Sequence, residues 1–166
     1  MLALRDWREL DNPAFIARWD ALAEGASEPN PFHESWYLLP ALRTLANGKN
    51  GGILLLEADG IPLGLMPFTR SLSYYGHPLP HMRNWVHANC FLGAPLVAAG
   101  AELAFWRKLL DWADENTRHA LFLHLACIPL ASPLHAALIE VLRDQGRPAA
   151  LVHREERAML DRKSVV

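Results

Sequence analysis

Gly52-Ile-Leu-Leu-Leu-Glu-Ala-Asp-Gly-Ile-Pro-Leu-Gly-Leu-Met-Pro-Phe-Thr-Arg70 is the stretch whose reading decides the fold. Two apolar runs flank Asp59-Gly60. A tight hairpin turn needs positive φ at its centre, and Asp-Gly between apolar runs supplies it, so the stretch predicts an antiparallel strand pair. Pro62 and Pro67 cannot donate to a ladder. Pro62 is therefore expected at a strand start or facing away from its partner, and Pro67 at a bulge or at the end of a regular stretch.

Outward from the hairpin, the N-terminal side reads as helical. Asn12-Pro13 is an N-cap followed by proline at the first helical position, with Phe15, Trp19, Leu22 and Ala23 on one face and Gly25 as the stop. After the linker Glu28–Pro31, a second helix is predicted from Ser35, presenting Trp36, Leu39, Leu42 and Leu45, strained by Pro40 and ended by Asn47-Gly48. Trp7, Trp19 and Trp36 read as core.

On the C-terminal side, Met82–Val86 and Ala94–Ala98 read as short strands joined by a bend. Leu103, Trp106, Leu110 and Ala113 make a helical stripe between Gly100 and Asn116. Trp106 and Trp112 read as core or partner-facing. The near-continuous apolar run Ala120–Ala126 predicts a strand covered on both faces, reached by a parallel right-handed crossover. Ser132-Pro133 starts a last helix carrying Leu134, Leu138, Val141 and Leu142, closed by Gly146. Ala149–His153 is predicted as a closing strand and 154–166 as a charged tail. The expected class is α+β: an antiparallel hairpin, then β-α-β-α-β, in a mixed sheet flanked by helices.

With 166 residues, one domain is expected. The chain is 51% hydrophobic with six tryptophans, which implies a generous core or apolar surface that meets a partner. A net charge of -2 with scattered Lys and Arg argues against nucleic acid. Early charges exclude a signal peptide and no apolar run reaches membrane-spanning length, so a cytoplasmic protein with free, buried Cys90 and Cys127 is expected.

Trp85-Val-His-Ala-Asn-Cys-Phe91 is the leading site candidate, because polar side chains between two strands beside an aromatic wall line small pockets. Trp85, His87, Asn89, Cys90 and Arg83 are its substrate-binding candidates. His77, His81, His87 and Cys90 fall within fourteen residues, but their spacing matches no compact zinc pattern and no metal is expected. Cys90 with His87 as nucleophile and base is weighed against Cys90 as a small core residue, which the lack of an orienting acid favours. His124 reads as a hydrogen-bonded histidine of the buried strand, and Arg70 as a solvated strand-end arginine.

Three phrases carry a resemblance: Asn30-Pro-Phe-His-Glu-Ser-Trp-Tyr-Leu-Leu-Pro-Ala-Leu42, Leu54-Leu-Leu-Glu-Ala-Asp-Gly-Ile-Pro-Leu-Gly-Leu-Met-Pro-Phe68 and Gly93-Ala-Pro-Leu-Val97. Together with the element order they resemble the N-terminal half of CelD-type acetyltransferase-like proteins of cellulose biosynthesis. These are similar to the FemAB-like transferases, built from two halves of the acyl-CoA N-acyltransferase (GNAT) fold. The resemblance implies transfer of an acyl group from acetyl-CoA to an amine or hydroxyl, in envelope polysaccharide synthesis. It also implies a second GNAT-like half beyond this chain, and the end at Lys163-Ser-Val-Val166 fits truncation.

At one place the chain departs from the superfamily pattern. A glutamine or arginine with closely spaced glycines usually precedes the helix that holds the pyrophosphate, whereas here the segment reads Val97-Ala-Ala-Gly-Ala-Glu102. The asparagine and tyrosine expected near the last helix are replaced by Ser132-Pro-Leu-His135. Acetyl-CoA is therefore expected in the missing half. Two readings stay open: an acyltransferase domain, or a non-catalytic substrate-binding or architectural half that packs on a second half or dimerises.

Overall fold

The computed structural model describes residues 1–46 and 51–156; the Asn47-Gly48 stop and the tail beyond Glu156 lie outside the described residues. The order is β1 (Leu2–Arg5), α1 (Trp7–Leu10), α2 (Pro13–Glu24), a 3-10 turn (Pro31–His33), α3 (Ser35–Leu45), β2 (Gly51–Ala58), β3 (Ile61–Ser71), β4 (His81–Asn84), β5 (Leu96–Val97), α4 (Glu102–Glu115), β6 (Leu123–His124) and α5 (Pro133–Asp144). This is the expected mixed sheet flanked by helices. β2 and β3 form its centre, and Asp59 and Gly60 turn between them with φ of 50° and 76°, the double positive that the Asp-Gly pair predicted.

Successive side chains of a strand point to opposite faces, so the continuous run Ile53–Leu56 feeds two cores at once. Leu54 and Leu56 pack with Met66, Phe68, Phe105, Trp106 and Leu138 under α4 and α5. Ile53 and Leu55 pack with Trp7, Trp19, Leu38 and Leu42 under α1 to α3. The two fully buried indoles are satisfied: Trp19 Nε1 donates to His33 O at 2.9 Å and Trp106 Nε1 to Leu134 O at 2.9 Å.

Several expectations are corrected. Leu2–Arg5, to which sequence reading assigns no element, form a strand antiparallel to Ile53–Leu56. The buried face of α3 is Ser35, Leu38, Leu39 and Leu42, one position out of phase with the expected stripe, which leaves Trp36 64% and Leu45 47% exposed. Only Leu123–His124 of the Ala120–Ala126 run is strand, and it is half-buried at the sheet edge rather than covered on both faces. Ala149–His153 is not a strand; it is exposed and no described strand pairs with it. Among the described residues no helix is long and apolar enough to cross a membrane.

Pro62 sits where the register of β2 and β3 shifts, so its missing N–H interrupts no regular ladder. Pro67 does more. Its carbonyl accepts from Trp85 N at 2.8 Å, and since N and C=O of one strand residue point the same way, its donor-less nitrogen faces the neighbouring strand. That strand is broken there. β4 pairs with Phe68–Ser71 and β5 with Gly64–Leu65, both antiparallel to β3, and between them residues 85–95 leave the sheet.

Candidate functional site

The 85–95 excursion is anchored at its root by Asn84, which is fully buried. Its Nδ2 donates to Gly93 O at 2.9 Å and Ala126 O at 2.8 Å, and its Oδ1 accepts from Ala126 N at 2.9 Å. The carboxamide thus takes the place of a strand backbone beside Leu125–Cys127, just past the point where β6 stops pairing with β4. Gly93 completes the seam by donating its N–H to Cys127 O at 2.8 Å. A Cβ at Gly93 would lie 2.1 Å from Ala126 O and 2.5 Å from Asn84 Nδ2, so only glycine permits this approach. Asn84 and Gly93 are thus tied to Ala126 and Cys127 by three hydrogen bonds.

The outer part of the excursion meets the start of α3. Asn30 prepares that start: its Oδ1 accepts from Phe32 N at 3.1 Å and its Nδ2 donates to Ala94 O at 2.7 Å. Tyr37 donates its hydroxyl to Asn89 O at 3.0 Å and lies nearly parallel to His87, centroids 6.0 Å apart. Phe32 meets Tyr37 and Phe91 edge-on, and His87 leans on Trp85 at 5.2 Å. Trp36 stands at the rim, edge-on to Tyr37, its Nε1 donating to Glu34 Oε2 at 2.6 Å. Between the two segments lies a groove of about 320 Å³ lined by Trp36, Tyr37, Pro40, Ala41, Thr44, Leu45, His87 and Asn89.

Of the sequence candidates, Trp85, His87 and Asn89 are thus brought to one place. Arg83 is not, and Cys90 lies beside them, within electrostatic reach of Tyr37, but inside the protein. Cys90 is buried, its Sγ–H donates to Leu92 O at 3.3 Å, and desolvation raises its thiol to about 11. A thiol so raised stays protonated at neutral pH, so the packing reading fits and the nucleophile reading does not. Arg83 pairs in register with His124 on the other side of the excursion. Cys127 is free but exposed, against the expectation that both thiols are buried.

The remaining candidates serve packing. His81 is buried and stacks on Phe122 at 5.1 Å, with Tyr74 and His124 around it. Burial, and then Arg83 and His81, lower the pKa of His124. Arg70 is not merely solvated: its guanidinium lies over Phe68 and Trp112 and donates to Asn116 O at 3.0 Å. His77 bridges Tyr74 in a turn. Among the described residues no cluster of three or more His, Cys, Asp or Glu could hold a metal ion. Sequence reading missed Asn84, Tyr37, Glu34 and the exposure of Trp36; the adjacent Trp36-Tyr37 pair after Pro31-Phe32 was the available signal.

No family model matches the sequence and no curated protein does. Solved structures do match the fold. A GNAT family acetyltransferase of Staphylococcus aureus subsp. aureus USA300_TCH1516 superposes with a TM-score of 0.54 at 13% identity, over 95% of this chain and 98% of that one. AAC(6')-Iy in complex with the bisubstrate analog CoA-S-monomethyl-acetylneamine gives 0.53 at 13%, over 95% and 99%. The aminoglycoside acetyltransferase HMB0005 from an uncultured soil metagenomic sample gives 0.54 at 11%, over 96% and 98%. The chain has the GNAT fold.

In a GNAT fold the segment between β5 and α4 is where a coenzyme A pyrophosphate is expected, so its donors decide whether the group fits. Here Ala98 N donates to Leu63 O, Ala99 N to Gly25 O and Ala101 N to Ala98 O, at 2.9, 3.0 and 3.0 Å. Gly100 N donates at 3.1 Å to the Glu102 carboxylate. All four loop amides are engaged, that of Gly100 by a negative charge. The start of α5 is similar: Leu134 N donates to Glu28 Oε1 at 3.2 Å and His135 N to Ser132 Oγ at 3.1 Å. The loop amides are thus taken up within the protein, while the first turn of α4 carries no side-chain cap.

Proposed function

We propose that this GNAT-fold chain is the non-acetylating, acceptor-side half of a CelD/FemAB-type acyltransferase of envelope polysaccharide synthesis. It works in the cytoplasm and packs on a second GNAT-like half, or on a second copy of itself, that carries acetyl-CoA. One observation carries the reading. The four amides of Ala98–Ala101 are already bonded within the protein, with the Glu102 carboxylate where a phosphate would have to sit. A phosphate held by those four amides would have to displace that carboxylate and break three backbone bonds, each contributing about 1 kcal/mol net. The closed seam at Asn84 and Gly93 supports the same reading, since a thioester needs an open cleft. Exposed Leu121, Leu151 and Val152 supply apolar surface for the packing role.

Titration calorimetry of acetyl-CoA and of coenzyme A into the chain tests the reading, with light scattering on the same sample. The expected result is no saturable heat up to about 1 mM ligand. Micromolar binding would move the acetylating function into this half and overturn the proposal.

A further inference from the structure

We propose that the groove between α3 and the 85–91 segment binds a neutral saccharide, with a sugar ring stacked on Trp36. The proposal deepens, and rests on, the acceptor-side reading by naming the acceptor's chemical class. Its starting point is the cost of leaving a large aromatic face in water. Trp36 is 64% exposed although it follows Ser35, a buried first residue of the same helix. Its ring is nonetheless held: the indole N–H is bonded to Glu34, and the ring stands perpendicular to Tyr37 with centroids 5.8 Å apart. An aromatic plane fixed before binding loses little rotamer entropy when a ligand covers it.

The rest of the groove selects what covers it. None of its eight described lining residues carries a full charge, and desolvation lowers the pKa of His87, so its imidazole is neutral at pH 7. Arg43, the nearest cation on α3, is turned to Asp11 at 2.6 Å. Among the described residues, phosphorylated and carboxylated ligands therefore find no counter-charge. The walls are a helix and a coil segment, with no strand edge to pair with an extended peptide. What remains is a neutral ligand with an apolar face and many hydroxyls.

A pyranose has that character, with C–H groups on one face and hydroxyls around its edge. The C–H face suits Trp36. The hydroxyls meet both donors and acceptors: the Asn89 carboxamide, which makes no side-chain hydrogen bond among the described residues and can do either, the Nε2–H of His87, whose Nδ1 already accepts from Asn89 N, and the second Glu34 oxygen, which accepts. A volume of about 320 Å³ lies at the small end of ligand sites and suits one or two sugar rings of a longer chain.

The test uses cellohexaose and chitohexaose as neutral probes and heparin as the anionic one, followed by tryptophan fluorescence and calorimetry. A neutral oligosaccharide is expected to bind with Kd of about 0.1–1 mM. Trp36→Ala should weaken this at least tenfold, Trp36→Phe should restore part of it, and Asn89→Ala should weaken it several-fold. Exposure of both side chains leaves folding intact, which circular dichroism checks. No binding of either neutral probe, equal binding by Trp36→Ala, or binding of heparin alone would each overturn the proposal. Sugar binding together with micromolar acetyl-CoA binding would uphold the groove and sink the division of labour between halves; neither ligand binding would sink the groove and leave that division standing.

Discussion

Replacing Asn84 by alanine should destabilise the chain by about 4–6 kcal/mol. The side chain is fully buried and makes three hydrogen bonds of 2.8–2.9 Å, to Gly93 O, Ala126 O and Ala126 N. A hydrogen bond contributes about 1 kcal/mol net, and stranding a buried partner costs about 1–3 kcal/mol more. Three bonds and at least one stranded group give the stated range. Asn84→Asp sharpens the test. A carboxylate still accepts from Ala126 N but faces two carbonyl oxygens, so burial and repulsion raise its pKa, and the protonated acid can again donate once. Asn84→Asp should therefore lose more stability at pH 7 than at pH 5, the reverse of a salt-bridged aspartate. Urea unfolding followed by tryptophan fluorescence gives the free energies, and hydrogen exchange at the Gly93 and Ala126 amides localises them. A loss under about 1 kcal/mol with unchanged protection at both amides would refute the seam.

Asp59-Gly60→Ala-Ala should cost about 1–3 kcal/mol, because both positions hold positive φ that alanine resists; an unmoved urea midpoint would refute the turn assignment. His33 gives a pH prediction. Burial pushes it from 6.5 down to about 3, the neighbouring Ala94 backbone offsetting this in part. A histidine lowered in the folded state stabilises fully above its unfolded pKa, so stability should fall from about pH 6.5 towards pH 3, by about 1.4 kcal/mol per pH unit. His33→Met should flatten that slope by about one proton, and an identical slope in both proteins would count against it.

The helices capped by Asn12-Pro13 and Ser132-Pro133 were legible because capping is local: Asn12 Oδ1 accepts from Phe15 N and Ser132 Oγ from His135 N, as the residue types require. The phase of α3 was not legible. Trp36, Tyr37, Leu38, Leu39, Ala41, Leu42 and Leu45 leave hardly any polar face, so period alone found Leu39 and Leu42 but took Trp36 and Leu45 in place of Ser35 and Leu38. β1 was hidden because Leu2–Arg5 becomes a strand only by pairing with Ile53–Leu56, a tertiary effect. Ala149–His153 has strand composition without a described edge to join. The site was half legible: polar residues gathered in 85–91 were visible, but their partner wall on α3 lies some fifty residues away in sequence, and the buried Asn84 looks like any strand residue.

Pro67 bears on how this fold can change. A central strand ordinarily fixes the length of its neighbour, because each added residue disrupts the ladder on both sides. At Pro67 no donor waits to be satisfied, and the neighbouring strand departs and returns after eleven residues with its pairing to β3 intact on either side. Residues 85–95 therefore behave as a cassette: loops of other lengths and compositions, rooted at Asn84 and Gly93, could be exchanged here and carry different recognition chemistry while the sheet beneath keeps its register.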